Sequence, residues 1–443
     1  MTLQRVLSEL AQRYPNENVM APDLDRIRAL VDLLGDPQLA YPSVHLTGTN
    51  GKTSTARMVD GLLRGFDLRT GRYTSPHLDS VTERICLDGE PLTEERFVEV
   101  FDELSPYVGL VDARGEIPMS FFEVLTGMAF AAFADAPVDV AVLEVGLGGL
   151  WDATNVVNAQ TCGILPIGLD HVPLLGTTLA EIAVEKAGII HEGATVVLAA
   201  QPAEAAEVLL ARCIAVGATV AREGLEFGVL ERVTAVGGQL LTLQGLSGVY
   251  DDIFLPLHGA HQAANAAVAL ACVEAFFGGG GLDVETIRAG FASTSSPGRL
   301  EVVRSSPTVL IDAAHNPHGM AATVAALADG FAFTHLVAVV ACLGDKDVRA
   351  MLEILEPAVS AVVVTENTSP RKMGVEELRE LAEDVFGEDR VYVEDRLDDA
   401  LDRAVGLADE ESPAFGGSVG GSGVLVTGSV VTAGEARTLL RVR

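Results

Sequence analysis

Thr47-Gly48-Thr49-Asn50-Gly51-Lys52-Thr53-Ser54 is the stretch on which the reading of this chain turns. Before it, Tyr41-Pro42-Ser43-Val44-His45-Leu46 is a short β-branched and apolar run with the pattern of a buried strand. After it, Ala56-Arg57-Met58-Val59-Asp60-Gly61-Leu62-Leu63 spaces its apolar residues as a helix does. A strand, a Gly-containing turn and a helix together frame a phosphate cradle. The turn aims backbone N–H groups at an anion, and the helix N-terminus adds its partial positive charge. In such a cradle Lys52 reaches the outer phosphates, and Thr53 or Ser54 lies beside a bound Mg²⁺. The common pattern has a glycine five residues before Gly51, where this chain has Leu46. The first glycine is Gly48, so this is a shortened variant. The competing reading is an ordinary strand-to-helix turn.

Composition sets the frame. The chain has 443 residues, 49% hydrophobic and 21% charged, enough for two or three domains with large cores and too apolar for global disorder. Its net charge of −32 argues against non-specific binding to nucleic acid or to an anionic membrane. Any phosphate must therefore be held by local positive potential, from Lys52, helix N-termini, arginines and metal ions. Five scattered cysteines with no Cys-x-x-Cys suit buried thiols in a reducing compartment. No signal-peptide pattern and no uninterrupted membrane-length apolar run is present, and the expectation is a cytoplasmic protein acting on small molecules.

Along the chain, the first 40 residues read as helical, with an apolar stripe from Asp23 to Leu34 that stops at Gly35. Tyr73-Thr74-Ser75-Pro76-His77-Leu78 is a polar turn, open to either a plain turn or a metal or substrate role. Ser120-Phe121-Phe122-Glu123 opens a long apolar helix, where the aromatic pair is either core or ligand platform. Val138 to Gly146 reads as a buried parallel strand carrying Glu144 at its end, and Thr161 to Ile167 as another that runs out into Asp170-His171. Ligands gather at the carboxyl ends of strands in open α/β sheets, which makes Glu144 and His171 candidate metal ligands. Leu179 to Gly188 reads as a helix closed by Gly188. It carries Lys186, one of only four lysines among 30 basic residues, placed either for amine chemistry or to meet the helix dipole.

The character changes over 225–257, where alternating segments predict a small antiparallel patch, and an Ala-rich helix follows from His261. The polar run Ser293 to Arg299 marks a boundary between residues 1–296 and 297–443. Beyond it the α/β rhythm restarts, with strands at Val309–Asp312, Leu336–Val340, Ala361–Thr365, Val391–Val393 and Val424–Thr427, which predicts a second doubly wound sheet. Gly416 to Gly423 reads as a Gly/Ser-rich loop. Asp312-Ala313-Ala314-His315-Asn316-Pro317 follows a strand and precedes a helix, and is either a site or a capped turn.

Taken together, Gly48-Thr49-Asn50-Gly51-Lys52-Thr53, Thr74-Ser75-Pro76-His77-Leu78, Glu83-Arg84-Ile85, Glu144 to Gly149, Trp151-Asp152-Ala153-Thr154-Asn155, Asp170-His171, Glu185-Lys186-Ala187-Gly188, Pro297 to Glu301 and Asp312 to Pro317 resemble one family, folylpolyglutamate synthase/dihydrofolate synthase of the Mur-ligase superfamily. The resemblance covers nearly the whole chain. It implies an α/β protein in which a P-loop-type ATPase domain, its sheet mostly parallel with a small antiparallel patch, precedes a Rossmann-like domain. It implies a monomeric ATP-dependent ligase joining L-glutamate to a pterin acid through an acyl phosphate.

By the same resemblance, Thr49, Asn50, Gly51, Lys52, Thr53 and Ser54 bind ATP, joined by Asn265, Arg299, Asp312 and His315. Ser75, Glu144, His171 and Lys186 hold two Mg²⁺ ions, Lys186 as a carbamate. Lys52, Lys186 and His171 serve catalysis. Ser120, Phe121, Phe122, Trp151, Asp152 and Ala153 contact the pterin. Two positions depart from the family pattern: Leu150 stands where Arg is usual, and Pro173 where an acidic or polar residue is frequent. Both bear on the acceptor. They leave open a relative acting on a different acid, and a non-catalytic nucleotide-binding protein is the third reading.

Overall fold

The computed structural model describes residues 2–13, 23–410 and 421–440. Eight strands form the first sheet: β1 (Ser43–Thr47), β2 (Thr70–Tyr73), β3 (Ile85–Leu87), β4 (Glu90–Pro91), β5 (Val140–Glu144), β6 (Thr161–Ile164), β7 (Thr195–Leu198) and β8 (Thr219–Arg222). Their order is β4-β3-β2-β5-β1-β6-β7-β8, so β1 lies inside the sheet between β5 and β6. The run β2-β5-β1-β6-β7-β8 is parallel, and β3 and β4 close one edge antiparallel. All five residues of β1 and of β5 are buried, as expected of parallel strands covered on both faces. The helices Lys52–Gly65 and Phe121–Asp135 are among those that cover it.

A three-stranded sheet follows, β9 (Gly228–Ala235), β10 (Gly238–Gln244) and β11 (Val249–Leu255), in the order β11-β10-β9. Only two residues join β9 to β10, and Gly237 there takes a φ of 77°. So short a connection requires antiparallel neighbours, and the predicted patch is present. The last sheet contains β12 (Glu301–Ser305), β13 (Thr308–Ile311), β14 (Phe333–Val340), β15 (Ala361–Val364), β16 (Val391–Val393) and β17 (Gly421–Thr427). Its order is β12-β13-β17-β14-β15-β16, parallel from β13 to β16 with β12 antiparallel at the edge. This is the second α/β sheet expected from the sequence.

The chain packs as two compact units. One comprises Met1–Arg232, Leu241–Leu255 and Ala263–Thr294; the other comprises Val233–Leu240, Pro256–Gln262 and Ser295–Arg443.

Some expected boundaries move. The helix ending at Lys186 is not closed by Gly188; Ala187–Ile189 continues as a 3-10 turn because Gly188 packs on the Leu150 backbone, where a Cβ would come within 2.2 Å of Leu150 Cα. The glycine serves a close approach and not a C-cap. Of the expected Gly416–Gly423 loop, residues 416–420 lie outside those described. Gly421, Ser422 and Gly423 already pair with β14 as strand, because Gly423 faces the Phe333 ring at a spacing that leaves no room for a side chain. Part of the expected N-terminal helical stretch, residues 14–22, is likewise outside the described residues.

Candidate active site

The carboxyl ends of β2, β5, β1 and β6 lie along one edge of the first sheet. Leu46 registers with Glu144 on one side and with Gly163 on the other, and Tyr73 registers with Leu143. Four loops therefore leave the sheet within one residue of the same level: 48–51, 74–80, 145–152 and 165–171. This is where an open α/β sheet places its ligands.

The 48–51 loop turns sharply. Gly48 has a φ of 150° and sits against Leu165, where a Cβ would lie 2.5 Å from Leu165 Cβ. Gly51 has a φ of 88° and faces Asn265, where a Cβ would lie 2.6 Å from Oδ1. Asn265, on the helix Ala260–Phe276, is thus brought to the loop from 214 residues away in sequence by the folding of the first unit. The helix Lys52–Gly65 starts at once after Gly51, and its first turn carries no acidic residue. Thr49 N–H donates to Pro166 O at 3.0 Å, while its hydroxyl donates to Gly168 O at 3.0 Å and accepts from Gly168 N–H at 2.9 Å. The Thr49 side chain thereby braces the loop against the segment leading to His171.

Glu144 is 1% exposed, and both carboxylate oxygens accept from the Thr53 hydroxyl, at 3.0 and 2.9 Å. Ser75 N–H donates to the same carboxylate at 3.3 Å. A buried carboxylate beside two hydroxyl-bearing residues is an all-oxygen donor set of the kind Mg²⁺ prefers. Among the described residues no three His, Cys, Asp or Glu side chains gather around a metal-sized space, so an ion here would draw on hydroxyl and ligand oxygens as well. His171 has a φ of 50°, and its Nε2 is 3.9 Å from Asp170 Oδ2.

Two of the four lysines converge on one atom. Lys52 Nζ donates to Gly48 O at 3.0 Å and to Thr49 O at 3.1 Å, and Lys186 Nζ donates to the same Gly48 O at 2.8 Å. Lys186 is buried, and burial first, then the Lys52 charge, lowers its pKa to about 7. Burial makes a positive charge on this amine costly.

Ser120 is an N-cap: its hydroxyl accepts from Glu123 N–H at 3.2 Å while Glu123 accepts from Ser120 N–H at 2.7 Å. Phe121 is buried with the Arg84 guanidinium 5.1 Å above its ring, and Arg84 Nε donates to His77 Nδ1 at 2.9 Å. Burial, then Arg84, pushes His77 down to about 4, so its ring is the neutral acceptor that this bond requires. Phe122 lies against Tyr73 with ring centroids 5.7 Å apart and fills the space beside Gly146. Asp152 is buried and accepts from Leu147 N–H at 2.9 Å and from Thr154 N–H at 2.9 Å, and Ala153 is buried next to it. Leu150 is 49% exposed. Pro173 lines an open groove of about 680 Å³ with Val172, Leu174, Leu175, Val184 and Glu185.

The second unit holds the remaining candidates. Asp312, at the end of β13, accepts from Leu300 N–H at 2.9 Å, Ala314 N–H at 3.0 Å and the Thr323 hydroxyl at 2.8 Å. His315 Nδ1 meets Ala313 O at 2.9 Å, and Asn316 caps the helix Pro317–Gly330. Arg299 acts on His261 together with Asp312 and His318; burial, the largest influence, lowers His261 to about 4.

Comparison with known proteins decides the family. Residues 298–430 match the model of the Mur ligase, glutamate ligase domain. Over 457 aligned positions the chain is 54% identical to dihydrofolate synthase/folylpolyglutamate synthase of Mycobacterium tuberculosis, covering 99% of this chain and 94% of that one. The chain belongs to the dihydrofolate synthase/folylpolyglutamate synthase family. The folylpolyglutamate synthase of Mycobacterium tuberculosis, solved in complex with ADP and AMPPCP, superposes with a TM-score of 0.94 at 54% identity, covering 99% of this chain and 98% of that one. Escherichia coli FolC, solved in complex with DHPP and ADP, superposes with a TM-score of 0.85 at 29% identity, covering 100% and 98%. The family's α/β architecture, with a large mostly parallel sheet, an antiparallel patch and a second α/β sheet, is the one found here. Among the described residues no helix is long and apolar enough to cross a membrane.

Three residues bonded to these candidates are not assigned a role by the sequence: Arg84 and Thr154 stand within motifs without one, and His45 only within a strand. The signal for His45 was available: a polar residue alternating with Thr47 along a buried strand has to find partners on one face of the sheet.

Proposed function

We propose that this chain joins L-glutamate to the carboxylate of a pterin acid, dihydropteroate or reduced folates and their polyglutamates, with cleavage of ATP to ADP and phosphate. The observation that carries the reading is the convergence of Lys52 and Lys186 on Gly48 O beside the buried Glu144–Thr53 pair. In this reading the 48–54 loop binds the ATP phosphates through its N–H groups, and Lys52 balances negative charge on the transferring phosphoryl group. An acceptor carboxylate oxygen attacks the terminal phosphorus, ADP leaves, and an acyl phosphate forms. The glutamate amine then attacks the acyl carbon, phosphate leaves, and the ammonium-stage product gives up a proton. Glu144, Ser75, His171 and a carbamylated Lys186 are the residues that would hold Mg²⁺, two ions in this reading, which lowers the negative charge of the phosphates when bound. The buried Lys186 amine supports the carbamate, since adding carbon dioxide replaces a cation next to Lys52 with an anion. Phe121, Phe122, Trp151 and Ala153 offer apolar and aromatic surface to the pterin; Arg299, Asp312 and His315 are assigned to the nucleotide.

Purified protein with ATP, Mg²⁺ and L-glutamate, offered dihydropteroate and tetrahydrofolate separately, is expected to release ADP with at least one of them and to form a product heavier by one glutamyl residue. Absence of ADP release with both would overturn the reading. A different acid acceptor is the second reading, favoured by the exposed Leu150 and by the groove that Pro173 lines.

The turn geometry gives a sharper test of the nucleotide side. Gly51→Ala places a Cβ at a left-handed φ and against Asn265 Oδ1. At about 1–2 kcal/mol for the backbone conformation alone, the KM for ATP is expected to rise at least about tenfold. ADP release measured across ATP concentrations reads this out. An unchanged KM would remove the Gly51 turn from the nucleotide site.

A further inference from the structure

Side chains alternate between the two faces of a strand, so His45 and Thr47 project from the same face of β1. Both reach the turn that follows β5. The Thr47 hydroxyl donates to Gly148 O at 2.9 Å, and His45 Nε2 lies 2.8 Å from Thr154 Oγ1. The Thr154 hydroxyl in turn donates to Asp152 Oδ1 at 2.5 Å, and that carboxylate already accepts the N–H groups of Thr154 and Leu147.

With Asp152 ionised, these bonds set the imidazole tautomer. Burial raises the pKa of Asp152, and the bonds from the Thr154 hydroxyl and from the Leu147 and Thr154 N–H groups oppose that rise by holding its ionised form; as a carboxylate it accepts hydrogens and has none to give. The Thr154 hydrogen therefore points to Asp152, and a hydroxyl lone pair points to His45. With Asp152 ionised, Nε2 carries the ring hydrogen, which leaves Nδ1 bare. Nδ1 is buried and has no hydrogen-bond partner. An orphaned buried nitrogen is a cost that phenylalanine or leucine at this place would not carry. That the ring is kept for one hydrogen bond points to the bond being used.

We propose that His45 is a positioning residue for the acceptor side of the reaction: through Thr154 it fixes Asp152, and with Thr47 it locks the acceptor turn to the strand that carries the phosphate loop. The proposal rests on the reading of Trp151, Asp152 and Ala153 as acceptor contacts. His45 touches neither the phosphate loop's N–H groups nor Lys52 in the hydrogen bonds described above; its influence runs through Thr154 and Asp152 to Leu147.

The test is a KM comparison on the full chain. His45→Phe keeps the ring and removes the N–H; His45→Gln keeps an N–H donor. His45→Phe is expected to raise the KM for the pterin acceptor about tenfold while the KM for ATP stays within about twofold, and His45→Gln to recover most of the loss. Thr154→Val, which removes the relay hydroxyl at constant shape, is expected to reproduce the His45→Phe pattern, and the double variant to be no worse than either single one. If His45→Phe does not fold, Thr154→Val carries the same comparison. Equal rises in both KM values, or His45→Gln no better than His45→Phe, would overturn the proposal. A wild-type enzyme inactive with every pterin acid would overturn the functional reading instead, so the two failures are distinct.

Discussion

Lys186→Ala is expected to abolish ligation, with turnover falling at least about a thousandfold, as when a principal source of transition-state charge stabilisation is removed. The amine sits buried on Gly48 O, in contact with the loop assigned to the phosphates. Added bicarbonate is expected not to restore the variant, because alanine has no nitrogen to carry a carbamate. ADP release with the best acceptor reads the loss, and intact-mass analysis of the wild type under carbon dioxide reads the modification. Lys186→Met keeps the volume and is expected to be as inactive as Lys186→Ala without loss of melting temperature, since an apolar chain of similar size fills the same buried space without the cost of desolvating a polar amine. Wild-type turnover in either variant would take Lys186 out of the chemistry.

The second large effect is expected at Lys52. In a chain with net charge −32 the polyphosphate is repelled at long range, so the local cation carries unusual weight. Lys52→Ala is expected to lower kcat/KM for ATP by at least about a thousandfold. Lys52→Arg is expected to recover little. Lys52 Nζ is a compact donor that satisfies Gly48 O and Thr49 O together from within one turn of helix, and a planar guanidinium cannot take that place without displacing the loop. Steady-state kinetics over a range of ATP concentrations checks both variants. A Lys52→Ala enzyme within tenfold of wild type would overturn the cradle reading.

Much of this architecture was legible in the residues, for a physical reason. β5 is an apolar run that ends in Glu144, and β1, buried along its whole length, runs straight into the Gly48 turn, as a parallel strand covered on both faces does. Ser75, Glu144, Thr53, Lys52 and Lys186 meet at one edge because parallel strands in register deliver their ends together. Asn265 could be placed beside Gly51 only by resemblance, since no local pattern reports a contact made across more than two hundred residues. Gly188 was misjudged because a glycine needed for close approach and one needed for a helix cap look alike in sequence. The tether of His45 to Asp152 stayed hidden because periodicity shows which face a side chain takes, but not which loop will later cover that face.

The reach of those tethers has a consequence for how the protein is made. The bonds that shape the phosphate loop come from Gly148, 101 residues downstream of Thr47, from Gly168, 119 downstream of Thr49, and from Lys186, 138 downstream of Gly48. Contacts of such sequence separation form late, after the cost of closing long loops has been met. A nascent chain that has emerged only as far as β5 therefore has residues 48–51 in full and none of these three braces that give the loop its shape. The loop is set to take its shape late in synthesis, once the segment around Lys186 has left the ribosome, and not gradually as the loop itself is made.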